Sequence, residues 1–225
     1  MYSLKNNPLL LPHQRSILAS FFASPLSQTF FLTGGTALAA FYFAHRDSKD
    51  FDFFSIEQFS MPQIGELLKA IAEELGASVS EKITTNTYKE LYMTHPKNQW
   101  VQRIDIVREQ PKHFGQIQDI DGVRVDSLEN IGSNKVLTLF GRLEPKDYVD
   151  FYTIITRSPL TFEALWELAK QKDAGLTEFY FTSSIANVDQ MTSWPTMKMP
   201  FDHTAMITYY QNLSRELLLR IKPRE

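Results

Sequence analysis

The period of the apolar positions changes several times along this chain, and each change marks an element. Ile17, Leu18, Phe21 and Phe22 share one helical face, predicting a helix over 14–22. A short β-type run, 29–32, leads into Gly34-Gly35. Leu38, Phe41, Tyr42 and His45 then return at i, i+3, i+4 and i+7, predicting a helix over 36–45. Over 49–54 the pattern switches to alternation, with Asp50 and Asp52 between apolar neighbours. An amphipathic helix over 61–75 ends at Gly76, a residue suited to the left-handed conformation that closes helices. Strand-like segments fill 78–94, where Thr84, Thr85, Thr87 and Tyr88 favour extended backbone, and 100–107 reads as a further strand. Val123 to Val125 is a short strand ahead of Ser127, the expected N-cap of a helix over 128–142. A second helix follows over 146–156. Helices over 162–171 and 202–221 flank an irregular stretch containing Pro and Met. Asp202 is the expected N-cap of the last helix, and Pro223 follows its end. The pattern predicts a mixed α/β core over 1–126 and a mostly helical region over 127–225.

Composition narrows the function. The 225 residues are 43% apolar and 13% aromatic, enough for a true core. A net charge of −3 gives no global field for nucleic acid, although a local basic surface is compatible with it. With no cysteine there is neither a disulfide framework nor a thiolate metal site. No apolar run approaches membrane-spanning length, and nothing in the sequence argues against a cytoplasmic protein. The histidines show no metal-ligand spacing.

The chemistry concentrates between Phe31 and Phe54. Gly34-Gly35-Thr36 forms a turn between a strand and a helix, where backbone N–H groups can face an anion. Asp50 and Asp52 lie on one face of a strand, about 7 Å apart at ~3.3 Å per residue. They repel unless a cation lies between them. Asp105, in Arg103-Ile104-Asp105-Ile106-Val107, joins them if its strand is a neighbour. Three carboxylates and a phosphate cradle suit a nucleoside triphosphate handled with two Mg²⁺ ions.

Gly-Gly, a gap of about a dozen residues, Asp-x-Asp and a later strand Asp resemble the polymerase-β-like nucleotidyltransferase superfamily. More finely, Gly34-Gly35-Thr36-Ala37-Leu38, His45-Arg46-x-Ser48-x-Asp50-Phe51-Asp52, Asn134-Lys135, Arg142 and Lys146-Asp147-x-x-Asp150 resemble the AbiEii/AbiGii nucleotidyltransferase toxins of type IV toxin–antitoxin systems, which are prokaryotic. The match covers 31–152. The resemblance implies an α+β fold, a mixed sheet with flanking helices followed by a helical region. It implies transfer of a nucleotide from an NTP, with tRNA among the acceptors, and restraint by a cognate antitoxin. It assigns Gly34, Gly35 and Thr36 to the triphosphate-binding turn. Asp50, Asp52 and Asp105 become the catalytic metal ligands, and Lys135 a lysine that contacts the nucleotide. Lys146, Asp147 and Asp150 form the last motif. Residues 160–225 match no motif, and Pro145 departs from the pattern.

Other readings stay open for several of these residues. Arg46 suits a phosphate contact or pairing with an acid such as Asp150. His45 is read as a packing residue. Lys146, Asp147 and Asp150 also fit a charged helix start. Phe179, Tyr180, Phe181, Tyr209 and Tyr210 could stack on bases but are expected in the core of the helical region. Arg46, Arg103, Arg108, Lys135, Arg142 and Lys146, with Arg215, Arg220, Lys222 and Arg224, are the cations available to an RNA. The alternatives to a toxin acting on RNA are an antibiotic-type nucleotidyltransferase and a non-catalytic module that binds nucleotide or antitoxin.

Overall fold

A computed structural model describes residues 1–109, 112–142 and 144–221. Lys222, Pro223 and Arg224, named above, lie outside the described residues. The chain divides into two compact units, Met1–Ser127 and Leu128–Glu225.

The first unit is built on a seven-stranded mixed sheet in the order β3-β4-β5-β2-β1-β7-β6. The strands are β1 (Phe30–Thr33), β2 (Phe51–Ser55), β3 (Ser78–Thr84), β4 (Tyr88–His95), β5 (Trp100–Arg108), β6 (Gln118–Ile120) and β7 (Val123–Val125). Its helices are α1 (Pro12–Ala23), α2 (Gly34–Ala37) and α3 (Met61–Glu74). Alternation gives the sheet two different faces. On one, Phe51 and Phe53 of β2, Leu91 and Met93 of β4, and Ile104 and Ile106 of β5 are all fully buried. Phe21 of α1 stacks flat on Phe53 at 4.1 Å between centroids. The opposite face carries Asp52, Asp105, Glu90 and their neighbours. The apolar face therefore fixes where the carboxylates point, because a slip of one residue would bury them instead.

Two expectations are corrected here. The helix over 36–45 begins earlier, at Gly34, and winds as a π-helix over Leu38–Phe43. The Ala44 amide donates to the Ala39 carbonyl at 2.8 Å, and Ala44 itself is left-handed at φ 51°. His45 thus falls beyond the helix, buried edge-on to Phe43. The carboxylate strand starts at Phe51 rather than at 49. Side chains take the carbonyls before it: Gln102 and Gln14 donate to Lys49, and the Thr36 hydroxyl donates to Asp50. Held this way by side chains, Lys49 and Asp50 sit just ahead of β2. The strand β6 was not read from the sequence at all.

The second unit is helical: α4 (Leu128–Gly141), α5 (Pro145–Arg157), α6 (Phe162–Lys172), α7 (Glu178–Ile185) and α8 (His203–Arg220). Asp202 caps α8, accepting from the Ala205 amide at 3.0 Å. The irregular stretch expected after 171 contains α7, and the aromatics divide across it. Phe181 and Tyr210 are fully buried, whereas Phe179 and Tyr180 are 57% and 61% exposed. One hundred degrees of helical rotation per residue explains the split, since 179 and 180 cannot share the inward face of 181. Gly132 of α4 lets Leu165 of α6 come close, for a Cβ there would lie 2.7 Å from a Leu165 methyl.

Candidate active site

The site in the first unit grows from the β1–α2 junction. Thr33 is extended, Gly34 is left-handed at φ 68°, and α2 starts at once. Glycine is required twice over at position 34. Any other residue would be strained there, and a Cβ would overlap the Asp52 carboxylate. Thr33 is the register partner of Asp52 across β1 and β2, which is why that carboxylate lies against the turn. At Gly35 a Cβ would run into the Arg46 guanidinium and crowd the Ser48 hydroxyl. Arg46 is 3% exposed and donates to the Asp47 carbonyl at 2.7 Å. Thr36 is buried, and its hydroxyl pins the following segment by bonding Ser48 at 2.9 Å and the Asp50 carbonyl at 2.5 Å.

Strand β2 pairs with β5 in parallel, with Asp52 opposite Asp105. The condition set on Asp105 is met: its strand is the neighbour, and the two carboxylates share a face. Strand β4 adds a residue that was not anticipated. Glu90 lies opposite Asp105 across the antiparallel β4–β5 pair, so Asp52, Asp105 and Glu90 form one row across three strands. Alternation in Tyr88-Lys89-Glu90-Leu91-Tyr92-Met93 hinted at a polar face, but the register that aligns Glu90 with Asp105 depends on strand pairing.

A cation network crosses this row. Arg103 grips Asp105 through two bonds, Nε to Oδ1 at 3.2 Å and Nη2 to Oδ2 at 2.9 Å. Its Nε also lies 3.8 Å from Glu90 Oε1. Glu90 accepts from the Tyr92 hydroxyl at 2.7 Å, from Lys82 at 3.2 Å and from the Tyr88 hydroxyl at 3.4 Å. Burial raises the Asp105 carboxyl above its ordinary range, and the Arg103 contacts offset only part of that rise. The Tyr92 hydrogen bond lowers the Glu90 carboxyl, outweighing its burial.

The donor set fits a hard divalent cation. It is all carboxylate oxygen, arranged on one face, and the buried charge of Asp105 gains from a positive neighbour. Among the described residues, no group of three acidic or histidine side chains lies close enough together to hold a metal ion. At Asp105 both oxygens are engaged by Arg103.

The remaining expected site residues lie in the second unit. Lys135 is 5% exposed, and its ammonium pairs with Asp147 at 2.7 Å and Asp150 at 2.6 Å. Both acids are fully buried, and Arg142 adds a 2.8 Å bond from Nε to Asp147. Asp147 and Asp150 are thus more than a charged helix start: one turn of α5 presents both to Lys135. Burial pushes the Asp147 carboxyl up, but Lys135 and Arg142 outweigh it and hold it below the usual range. Lys146 takes no part, pairing at the surface with Glu144 at 2.9 Å.

Among the described residues no helix is long and apolar enough to cross a membrane. No curated protein matches the chain in sequence. Solved structures share its fold. JHP933 from Helicobacter pylori superposes with a TM-score of 0.61 at 15% identity, covering 92% of this chain and 90% of that one. MenT4, a nucleotidyltransferase toxin from Mycobacterium tuberculosis H37Rv, gives 0.52 at 12% identity, covering 97% and 89%. The family model for the nucleotidyl transferase AbiEii toxin of type IV toxin–antitoxin systems matches residues 16–186. With its glycine turn, its carboxylate row and a family match over most of its length, the chain belongs to the AbiEii nucleotidyltransferase toxins.

Proposed function

We propose that this enzyme transfers a nucleoside monophosphate from an NTP to a hydroxyl of an RNA acceptor, tRNA foremost, using Mg²⁺. The observation that carries this reading is the register pairing of Asp52 with Asp105, two residues beyond Asp50 and beside the Gly34–Thr36 turn. Asp50, Asp52 and Asp105 would hold the metal. Bound there, Mg²⁺ supplies charge neutralisation at the phosphates and activation of the attacking hydroxyl. The backbone amides of the turn bind the triphosphate, and glycine at 34 and 35 lets Asp52 and Arg46 close in on it. Arg46, held rigidly at the turn, orients phosphate oxygens. Asp105 accepts or steers the acceptor's proton. Lys135, its ammonium fixed by Asp147 and Asp150, is the nucleotide-binding candidate that the family resemblance assigns within the second unit. The chain's part is positioning and electrostatics, with no covalent enzyme intermediate needed. A cognate antitoxin is the partner that the family membership supports.

The test is direct. The purified chain is incubated with each labelled NTP, Mg²⁺ and total tRNA. Label in tRNA that needs Mg²⁺ and disappears in Asp50→Ala supports the reading. Label found only in protein or small molecules would overturn the RNA acceptor. No transfer with any acceptor would overturn the transferase assignment to these residues.

A further inference from the structure

Arg103 touches two acids of the row at once, and its position is odd for an enzyme that binds divalent metal. It covers both oxygens of Asp105, a residue assigned above to metal binding. Resting on that metal reading, we propose that Arg103 is a built-in counter-cation: it neutralises Asp105 while the site is empty and gives the carboxylate up when a divalent ion arrives.

Three observations support this. First, without Arg103 the row would set Asp52, Asp105 and Glu90 side by side in register, and like charges directly opposite each other destabilise a sheet. A permanent tethered cation removes that repulsion. Second, the arginine can move. Its side chain is 37% exposed, whereas those of Asp105 and Glu90 are 12% and 6% exposed. Third, a resting place for the displaced guanidinium already exists. Glu90 stands 3.8 Å from Nε and is itself held by Tyr92, Tyr88 and Lys82. A short swing carries Arg103 from Asp105 to Glu90 without exposing an uncompensated acid. Glu90 is then an anchor for the arginine and a positioning residue, not a metal ligand. The consequence is competition: Arg103 weakens metal binding to the empty protein.

Mn²⁺ binding to the full chain without nucleotide, followed by electron paramagnetic resonance, tests this apart from activity. Arg103→Met removes the charge at similar length and should bind Mn²⁺ about tenfold more tightly or better, the size expected for one charge within a few ångströms of a divalent ion. Arg103→Lys keeps the charge and should stay near wild type. Equal or weaker binding by Arg103→Met would overturn the proposal. Asp52→Asn separates the two layers: if it abolishes binding while Arg103→Met matches wild type, the metal reading stands and the counter-cation does not. If wild type binds no Mn²⁺, both fall. A second measurement needs no variant. In the wild-type protein the Arg103 Nε–H resonance should shift in step with added Mg²⁺, while that of Arg215 stays fixed. An unmoved Arg103 signal at saturating Mg²⁺ overturns the exchange.

Discussion

Asp52 and Lys135 sit in opposite electrostatic conditions, and substitutions should separate them. Asp52 stands in a row of like charges. Asp52→Ala, like Asp50→Ala, should lose transfer activity by several orders of magnitude while the fold survives. Turnover assays and circular dichroism melts check both, and undiminished turnover would remove the metal role. Lys135 is the reverse case, a buried cation between two fully buried acids. Lys135→Ala removes the cation that the two buried carboxylates share, leaving Arg142 on Asp147, and should cost about 3–5 kcal/mol, read from the urea midpoint. Loss of nucleotide binding in that variant must therefore be compared with Lys135→Arg, which keeps charge but not the compact ammonium. Asp147 adds a pH signature. Its folded carboxyl titrates below the unfolded one, so its contribution is complete above the ordinary Asp value of about 4 and vanishes as pH falls through the lower folded value. The stability gap between wild type and Asp147→Asn should be widest near neutrality and close in acid. A gap independent of pH would contradict the pairing.

Single elements carry their own tests. The α4–α6 contact depends on Gly132, where any side chain meets Leu165. Gly132→Ala should destabilise by about 1–3 kcal/mol through overpacking, although alanine is the better helix former. A stabilised variant would mean that α6 yields. The π-helical winding over Leu38–Phe43 ends in left-handed Ala44, a conformation that costs a residue with Cβ roughly 1–2 kcal/mol. Ala44→Gly should therefore be neutral or stabilising in thermal melts, whereas Ala44→Val should be clearly destabilising. Element types were largely legible because periodicity is local. The amphipathic spacing of α3 and the alternation of β2 are visible in any window of a few residues. The misses were local patterns overruled by partners. Hydrogen bonds from Gln102, Gln14 and Thr36 shortened β2 at its start. α7 escaped notice because its Phe-Tyr-Phe run has no helical stripe.

At the scale of the whole molecule, charge sets the condition on any RNA acceptor. With a net charge of −3, binding must come from a local group of cations, and several candidates are already paired: Arg103 with Asp105, Arg142 with Asp147, Lys146 with Glu144. RNA affinity should fall steeply with salt, with a slope near 0.7 per phosphate contact on single strands. Affinity independent of salt would argue against RNA. In cells, induced expression should arrest growth and leave tRNA ends altered, and the Asp50→Ala protein should be harmless. Toxicity with intact tRNA ends would move a different acceptor forward.

The sequence by itself determined the chemistry available: a glycine turn, an alternating Asp-x-Asp, a flanked Asp and a motif set that belongs to one family. These are covalently local, so their spacing survives any fold. It also determined which face of β2 is buried, because phenylalanines at alternate positions leave no other choice. Tertiary structure decided what those residues meet. Strand order brought Asp105 beside Asp52 and aligned Glu90 with both, across separations of 53 and 15 residues that no local pattern encodes. Helix packing turned Lys135, Asp147 and Asp150 from three motif letters into one buried charge cluster. Register and packing are sums over many distant contacts, and the charge environment of a carboxylate depends on those sums rather than on its neighbours in the chain.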